Sequence, residues 1–185
     1  MNTWQYIKSD YLRYYGTYHS AARIISAAIF SRNHCFQFSF WLRLAKKRGI
    51  LGRFAKVMHH HYSIKYGIQI PWATKIGYGL YIGHGVGIVV NPGTVIGNNC
   101  NLSQFLSIGS NHNTPAVIGD NVYIGPHVSI VEDVHIGANV VIGAGSVVVK
   151  DIPENSTVVG NPARVIGFNK HPEYISNKYA VNPNS

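Results

Sequence analysis

The chain has 185 residues, a length that suits one compact domain with a smaller appendage. Its two cysteines, Cys35 and Cys100, exclude a disulfide-rich scaffold, and no signal-peptide or membrane-spanning pattern is evident, so the sequence predicts a cytoplasmic protein. The formal net charge of +9 lies at one end, because residues 1–67 hold eleven Lys/Arg and one acid, Asp10, whereas residues 68–185 hold five Lys/Arg and six acids.

Residues 1–67 are predicted to form a basic α-helical N-terminal region. In the segment 41–57, WLRLAKKRGILGRFAKV, apolar and basic residues alternate at helical spacing. Gly49 and Gly52 indicate a break between two helices, since glycine disfavours a helix interior. We expect these helices to pack against the first part of the domain that follows.

The cations of this region, among them Lys46, Lys47 and Arg48, predict an attraction to anionic surfaces. One hypothesis is peripheral contact with the inner membrane surface; the alternative is that the cations only keep the protein dispersed and attract anionic CoA or sugar nucleotides. Charge also allows nucleic-acid binding, but a solvated helical face is the favoured interpretation. The three histidines at 59–61 are not predicted to bind a metal, because neighbouring residues of a helix point in different directions.

Aliphatic residues recur every six positions between residues 68 and 167. The series is Ile70, Ile76, Ile82, Ile88, Ile96, Leu102, Ile108, Ile118, Ile124, Ile130, Ile136, Ile142 and Val148. Ten of its twelve intervals are six residues long, and the intervals of eight and ten residues predict insertions after Ile88 and after Ile108. A period of six fits neither a helix nor an ordinary hairpin and is typical of hexapeptide repeats in a parallel β-helix. The sequence therefore predicts a mainly β domain of about five coils.

Counting along this series assigns residues to the corners of the β-helix. Three hexapeptides make one coil, so every third aliphatic residue returns to the same face. The residues two places beyond one such set are His84, Gln104, Pro126 and Ala144. They predict a column of turn residues along which an extended ligand would contact backbone groups. Both insertions are predicted at a different corner, and the longer one carries His112; residues 168–185 are expected to form a polar, loosely ordered C-terminal tail.

Three stretches of the domain resemble a known family. They are GLYIGHGVGIVV at 79–90, VIGDNVYIGPHVSIV at 117–131 and GNPARVIG at 160–167. In these stretches and their order the chain resembles the left-handed β-helix acyltransferases with hexapeptide repeats. The resemblance is to the branch that holds serine acetyltransferases together with capsule and exopolysaccharide O-acetyltransferases. It implies a left-handed β-helix, a homotrimer, acetyl-CoA as donor, and active sites in the grooves between subunits.

The resemblance also implies roles for individual residues. His84 takes the position of the catalytic base, and His112 lies near the second histidine of the family's active site. The residues implied in CoA binding are Gly109 and Ser110 beside the thioester, Pro126 and Ala144 along the pantetheine arm together with the adjacent Gly125 and Gly143, and Lys150 and Arg164 at the CoA phosphates. Gly83 and Gln69 stand where serine acetyltransferases have aspartates, which favours a saccharide hydroxyl in polysaccharide biosynthesis as the acceptor. Serine O-acetylation in cysteine biosynthesis is the alternative.

Acetyl transfer from a thioester to a hydroxyl needs a base for the hydroxyl proton and close positioning of the two substrates. Histidine suits this role because its ordinary pKa lies nearest neutrality, and neither a metal nor a covalent intermediate is required. A zinc hydro-lyase of the γ-carbonic anhydrase type is disfavoured, since the sequence has no suitably spaced trio of histidines. A non-enzymatic trimeric scaffold is disfavoured because His84 occurs together with the IGAG and NPAR elements.

Overall fold

The structure, a computed structural model, describes residues 1–111, 114–131 and 133–181. In these residues the N-terminal region forms four helices: α1 (Thr3–Tyr15), α2 (Ala21–Phe30), α3 (His34–Leu44) and α4 (Gly49–Tyr66). The break between α3 and α4 falls at 45–48, next to Gly49, as predicted. Gly49 begins α4 with a φ of +82°, a conformation that favours glycine. The expectation for Gly52 is wrong, because this residue lies inside α4. A Cβ there would stand 1.8 Å from the Lys47 carbonyl oxygen, so a close approach, and not a break, requires glycine.

The rest of the described chain forms short strands joined by tight turns. Their bounds are β1 Ile68–Gln69, β2 Lys75–Ile76, β3 Tyr81–Gly83, β4 Ile88–Val90, β5 Val95–Ile96, β6 Asn101–Ser103, β7 Ser107–Ile108, β8 Val117–Ile118, β9 Tyr123–Ile124, β10 Ser129–Ile130, β11 His135–Ile136, β12 Val141–Ile142, β13 Val147–Val148, β14 Ser156–Val159 and β15 Arg164–Phe168. A short 3-10 helix, Pro172–Tyr174, follows β15.

These strands build a three-sided parallel solenoid. One side has the order β1-β4-β7-β10-β13, the second β2-β5-β8-β11, and the third β3-β6-β9-β12-β14 with β15 antiparallel at its end. The mainly β fold with N-terminal helices is therefore confirmed. Within the described residues the solenoid completes about four turns, against the five predicted, and a partial fifth consists of β13, a bridge at Ile152 and β14.

The strand register corrects the position of the first insertion. Val90, and not Ile88, pairs with Ile108 of the next turn, while Ile88 pairs with Ile68 of β1. The series of stacked residues therefore passes from Ile82 directly to Val90. The two extra residues lie in the turn 84–87, at the corner of His84, and the prediction of an insertion after Ile88 at another corner is wrong.

A buried ion pair fastens the helices to the first turn of the solenoid. Asp10 of α1 and Arg43 of α3 are 1% and 2% exposed, and Arg43 Nε donates to Asp10 Oδ2 over 2.8 Å. Arg43 also donates to the carbonyl oxygens of Ile76 and Gly77, at 2.9 and 2.6 Å. Asp10 in turn accepts a hydrogen bond from the Leu80 backbone N–H at 2.8 Å. The predicted packing of the helices on the first coil is thus made by charge-assisted hydrogen bonds as well as apolar contact.

The C-terminal segment packs along the solenoid, contrary to the expectation of a loose tail. Ile175 is buried, and Arg13 Nε of α1 donates to the Ser176 carbonyl oxygen at 2.8 Å. The backbone N–H of Tyr179 donates to Asn99 Oδ1 at 2.9 Å. The prediction failed because the partners of these polar residues are turn asparagines and helix residues more than 70 positions away.

Candidate functional site

His84 occupies the widened turn between β3 and β4. Its backbone has a φ of +52°, the left-handed region that a residue with a Cβ adopts at a cost. The imidazole is exposed and makes no hydrogen bond, ion pair or ring contact with any residue that the structure describes. The ring is therefore available to a substrate, as a general base must be.

Two side chains from the helices hold this turn from behind. The Tyr14 hydroxyl of α1 accepts from the Ile82 N–H at 2.8 Å, and burial raises the pKa of Tyr14 well above its ordinary value. The Gly85 N–H donates to the Cys35 Sγ of α3 at 3.1 Å. A Cβ on Gly85 would stand 2.7 Å from the Ile68 side chain and 3.1 Å from Cys35 Sγ, so glycine lets the turn lie against β1 and α3. The residues on both sides of His84 are thus fixed while its ring stays free.

Tyr14 and Cys35 are residues of the candidate site that the sequence does not predict. Cys35 stands in no motif, and Tyr14 is one of twelve tyrosines without a distinguishing motif. The nearest signal is the buried face of the predicted helices, which indicates packing but does not name the partner. Burial also raises the pKa of the Cys35 thiol, so Cys35 supports the turn as a neutral group.

The predicted corner column is present above the first turn. The backbone N–H groups of His127 and Gly145 donate to the carbonyl oxygens of Gln104 and Pro126, at 3.0 and 2.8 Å, which stacks Gln104, Pro126 and Ala144. At its foot the column changes, because Phe105 N–H bonds to the Val86 oxygen and not to His84. His84 follows β3, whose Gly83 pairs with Ser103, and then leaves the column in the wider turn.

The residues expected beside the thioester and the pantetheine arm lie on two corners. Gly125 and Gly143 are in register, and the Gly125 N–H donates to the Ile142 oxygen at 2.9 Å. Gly109 opens the turn after β7, and among the described residues, apart from its two chain neighbours, no atom lies within 4 Å of the position that its Cβ would take. The Ser110 carbonyl oxygen accepts from Asn91 Nδ2 at 3.5 Å. His112 lies outside the described residues.

Lys150 and Arg164, expected at the CoA phosphates, line one cavity of about 360 Å³ near the end of the solenoid. Two cations around one opening suit a polyanionic ligand. Asp151 lines the same cavity and supplies an opposing charge. The shared cavity agrees with the expectation that Lys150 and Arg164 lie near one ligand. The two residues are fourteen positions apart in the chain, with the cis Asn161–Pro162 peptide between them.

The two departures from serine acetyltransferases are both close to the His84 turn. Gly83 is the last residue of β3, and a Cβ there would meet only the Tyr81 ring at 3.4 Å, an ordinary contact. Gln69 is exposed in β1, beside β4, which begins after the turn. Neither position carries a carboxylate to orient His84 or to bind an ammonium group.

The three histidines 59–61 of α4 lie in different surroundings. His59 is buried with Nε2 3.0 Å from the Ile70 oxygen, and burial lowers its pKa, whereas His60 and His61 are exposed. Within residues 1–111, 114–131 and 133–181 there is no group of three or more His, Cys, Asp or Glu residues that could hold a metal ion.

Comparison with known proteins identifies the repeats. The family model described as bacterial transferase hexapeptide (six repeats) matches residues 115–150. The chain is 36% identical over 132 residues to serine acetyltransferase 4 of Arabidopsis thaliana, covering 68% of this chain and 37% of that protein. It is 31% identical over 136 residues to the serine acetyltransferase of Synechococcus elongatus, covering 71% of this chain and 54% of that protein.

A solved structure extends the likeness beyond the repeats. The serine acetyltransferase of Neisseria gonorrhoeae superposes with a TM-score of 0.75 and 27% identity, covering 97% of this chain and 72% of that one. This chain spans between about a third and a half of the length of the two curated relatives. The hexapeptide match at 115–150, the three-sided solenoid and the likeness to these relatives together identify a domain of hexapeptide repeats that is similar to that of the serine acetyltransferases.

Proposed function

We propose that this protein transfers an acetyl group from acetyl-CoA to a hydroxyl group, with L-serine as the acceptor and His84 as the general base. The observation that carries the proposal is the His84 turn: an exposed imidazole held in a left-handed backbone conformation by Tyr14 and Cys35. Its relatives, named as serine acetyltransferases, support both the donor and the acceptor.

The reaction needs one base and no covalent intermediate on the enzyme. His84 accepts the acceptor's hydroxyl proton while the oxygen attacks the thioester carbonyl carbon. The tetrahedral intermediate then breaks its carbon–sulfur bond, and the imidazolium returns the proton to the departing thiolate, giving the O-acetyl ester and CoA. Neither cysteine acts as a nucleophile, because Cys35 and Cys100 are buried.

The donor would lie along the corner of Gln104, Pro126 and Ala144, with its phosphates toward Lys150 and Arg164. Backbone groups at Gly109, Ser110, Gly125 and Gly143 would face its pantetheine arm. We further propose that three copies of the chain assemble and that this corner of one copy faces Gly109 and Ser110 of its neighbour. His112 stays a proposed second catalytic residue on the strength of the family resemblance alone.

A saccharide hydroxyl is the second candidate acceptor, in capsule, exopolysaccharide or lipopolysaccharide synthesis. Gly83 and Gln69 favour a saccharide, because neither residue has a carboxylate. An amino acid carries an ammonium group that a carboxylate would bind, whereas a neutral sugar has no such group and needs no carboxylate. The predicted division into 1–67, 68–167 and 168–185 is compatible with either acceptor, with the β-helix as the acyltransferase domain.

The test is release of the CoA thiol with acetyl-CoA and either L-serine or a panel of saccharides. Turnover that depends on serine supports the first acceptor; turnover with a saccharide and none with serine supports the second. His84→Asn should lower kcat by roughly 10²–10⁴-fold with CoA binding retained. His60→Asn, on the exposed side of α4, is the control and should leave kcat unchanged. Wild-type turnover by His84→Asn would refute the role of His84.

A further inference from the structure

The outward face of α4 carries four exposed apolar residues, with the exposed His61 between the last two. The four are Ile50, Phe54, Val57 and Ile64, exposed by 86, 53, 65 and 71%. Their spacings of four, three and seven residues place them on one side of the helix. The opposite side carries the buried residues Gly52, Ala55 and His59. The helix thus has two apolar faces, and the fold covers only one of them.

The exposed stripe continues onto α2. Ile25, Ile29 and Phe30 are 43, 44 and 80% exposed. Ile25 and Ile29 share an open groove of about 430 Å³ with Leu51 and Phe54 of α4. We call this apolar surface the α2–α4 face. A contiguous exposed apolar surface of this kind usually marks a site of contact with another molecule.

The charges around the α2–α4 face have one sign. Lys47 lines the groove, and Arg48 and Arg53 are exposed at the start of α4. The acid of residues 1–67 is Asp10, which is buried against Arg43 and cannot offset them. Lys46 is different: its Nζ donates to the Thr74 oxygen at 2.7 Å, and burial lowers its pKa to about 8.

We propose that the α2–α4 face binds the surface of an anionic lipid bilayer. An amphipathic helix that lies in the plane of the interface buries its apolar side among the acyl chains and keeps basic side chains at the headgroups. A second copy of the chain fits less well, because the same face would bring its Lys47, Arg48 and Arg53 against like charges. No described helix is long and apolar enough to cross a membrane.

The α2–α4 face is formed by the helices of one chain, and its binding to a bilayer does not require acetyl transfer. The basic residues named in the sequence divide accordingly: Lys47 and Arg48 border the face, whereas Lys46 is engaged by the solenoid.

The experiment is co-sedimentation of the full chain with vesicles of phosphatidylcholine alone or with 30% phosphatidylglycerol. We expect binding only to the anionic vesicles, weakening as salt is raised. Arg48→Glu with Arg53→Glu should reduce the partition coefficient at least ten-fold. The control, Lys170→Glu with Lys178→Glu, makes the same change in net charge on the C-terminal segment and should have a smaller effect.

The apolar contribution has its own pair of variants. Ile50→Ser, Val57→Ser and Ile64→Ser together should abolish binding, and leucine at the same positions should retain it; these side chains are exposed, so the fold tolerates both sets. The proposal is overturned if the wild-type protein does not bind the anionic vesicles. It is also overturned if the Lys170/Lys178 control loses as much binding as the Arg48/Arg53 variant. A third outcome also overturns it: the wild-type protein is an oligomer that binds no vesicles, and the triple serine variant dissociates into smaller species. The α2–α4 face would then be a contact between copies of the chain.

Discussion

Replacing Asp10 by asparagine should destabilise the protein more than any change of one exposed charge. The Asp10 carboxylate accepts four hydrogen bonds: two from Arg43 at 2.8 and 3.0 Å, one from Ser39 Oγ at 2.7 Å and one from the Leu80 N–H at 2.8 Å. Asparagine keeps the shape but removes the charge and half of the acceptor capacity. The Arg43 guanidinium, 2% exposed, then stays buried without a counter-charge.

Removing one partner of a buried ion pair costs about 3–5 kcal/mol. For a chain of this size 1 kcal/mol shifts Tm by about 2–4 °C, so Tm should fall by about 6–20 °C. Thermal unfolding followed by circular dichroism measures the shift, with Glu154→Gln as an exposed control that should change stability by less than about 0.5 kcal/mol. Adding Arg43→Met to Asp10→Asn should recover part of the loss. An unchanged Tm for Asp10→Asn would refute this account of how the helices are attached.

Three further predictions concern the turn and the core. His84→Gly should be more stable than His84→Ala by about 1 kcal/mol in urea unfolding, since glycine adopts a φ of +52° without the Cβ penalty; equal stabilities would contradict the backbone argument. Tyr14→Phe should lower kcat about ten-fold while KM for acetyl-CoA stays within about two-fold, because only the position of the His84 turn changes; a change in KM alone would point to a different role. Burial raises the pKa of Cys100 to about 12, so the stability present below pH 9 should decline as the pH rises from 9 toward 12. Cys100→Ala should make this decline shallower, as measured by urea unfolding midpoints at each pH. Parallel curves for the two proteins would show that Cys100 is not the cause of the decline.

The six-residue period was sufficient to predict the solenoid, because every stacked residue must be aliphatic to fill a narrow core. It could not place the first insertion. Ile88 and Val90 are both buried in β4, so a count along the chain has two equally apolar residues to choose from. What decides between them is the register of β4 against β7, where Val90 pairs with Ile108, and a count along the chain does not contain that pairing.

The candidate base could be named from its turn and its family resemblance, but its surroundings could not. Tyr14 and Cys35 come from helices that follow no repeat and lie about 50 to 70 positions from the turn. Helical periodicity identifies which side of α1 and α3 is buried. It does not determine which residue of the solenoid each side chain meets, since that depends on how the helices dock.

The packed C-terminal segment changes how the solenoid should come apart. A stack of repeats touches only its nearest neighbours and can fray one coil at a time from a free end. Here β15 pairs with the last strand of the stack, the Tyr174 ring lies 4.8 Å from that of Tyr123, and Tyr179 reaches Asn99 in the second turn. The C-terminal segment thus runs back along the solenoid from the last coil toward the first. Opening the last coil therefore requires releasing contacts with coils near the first. Unfolding is then expected to be cooperative over the whole length of the stack.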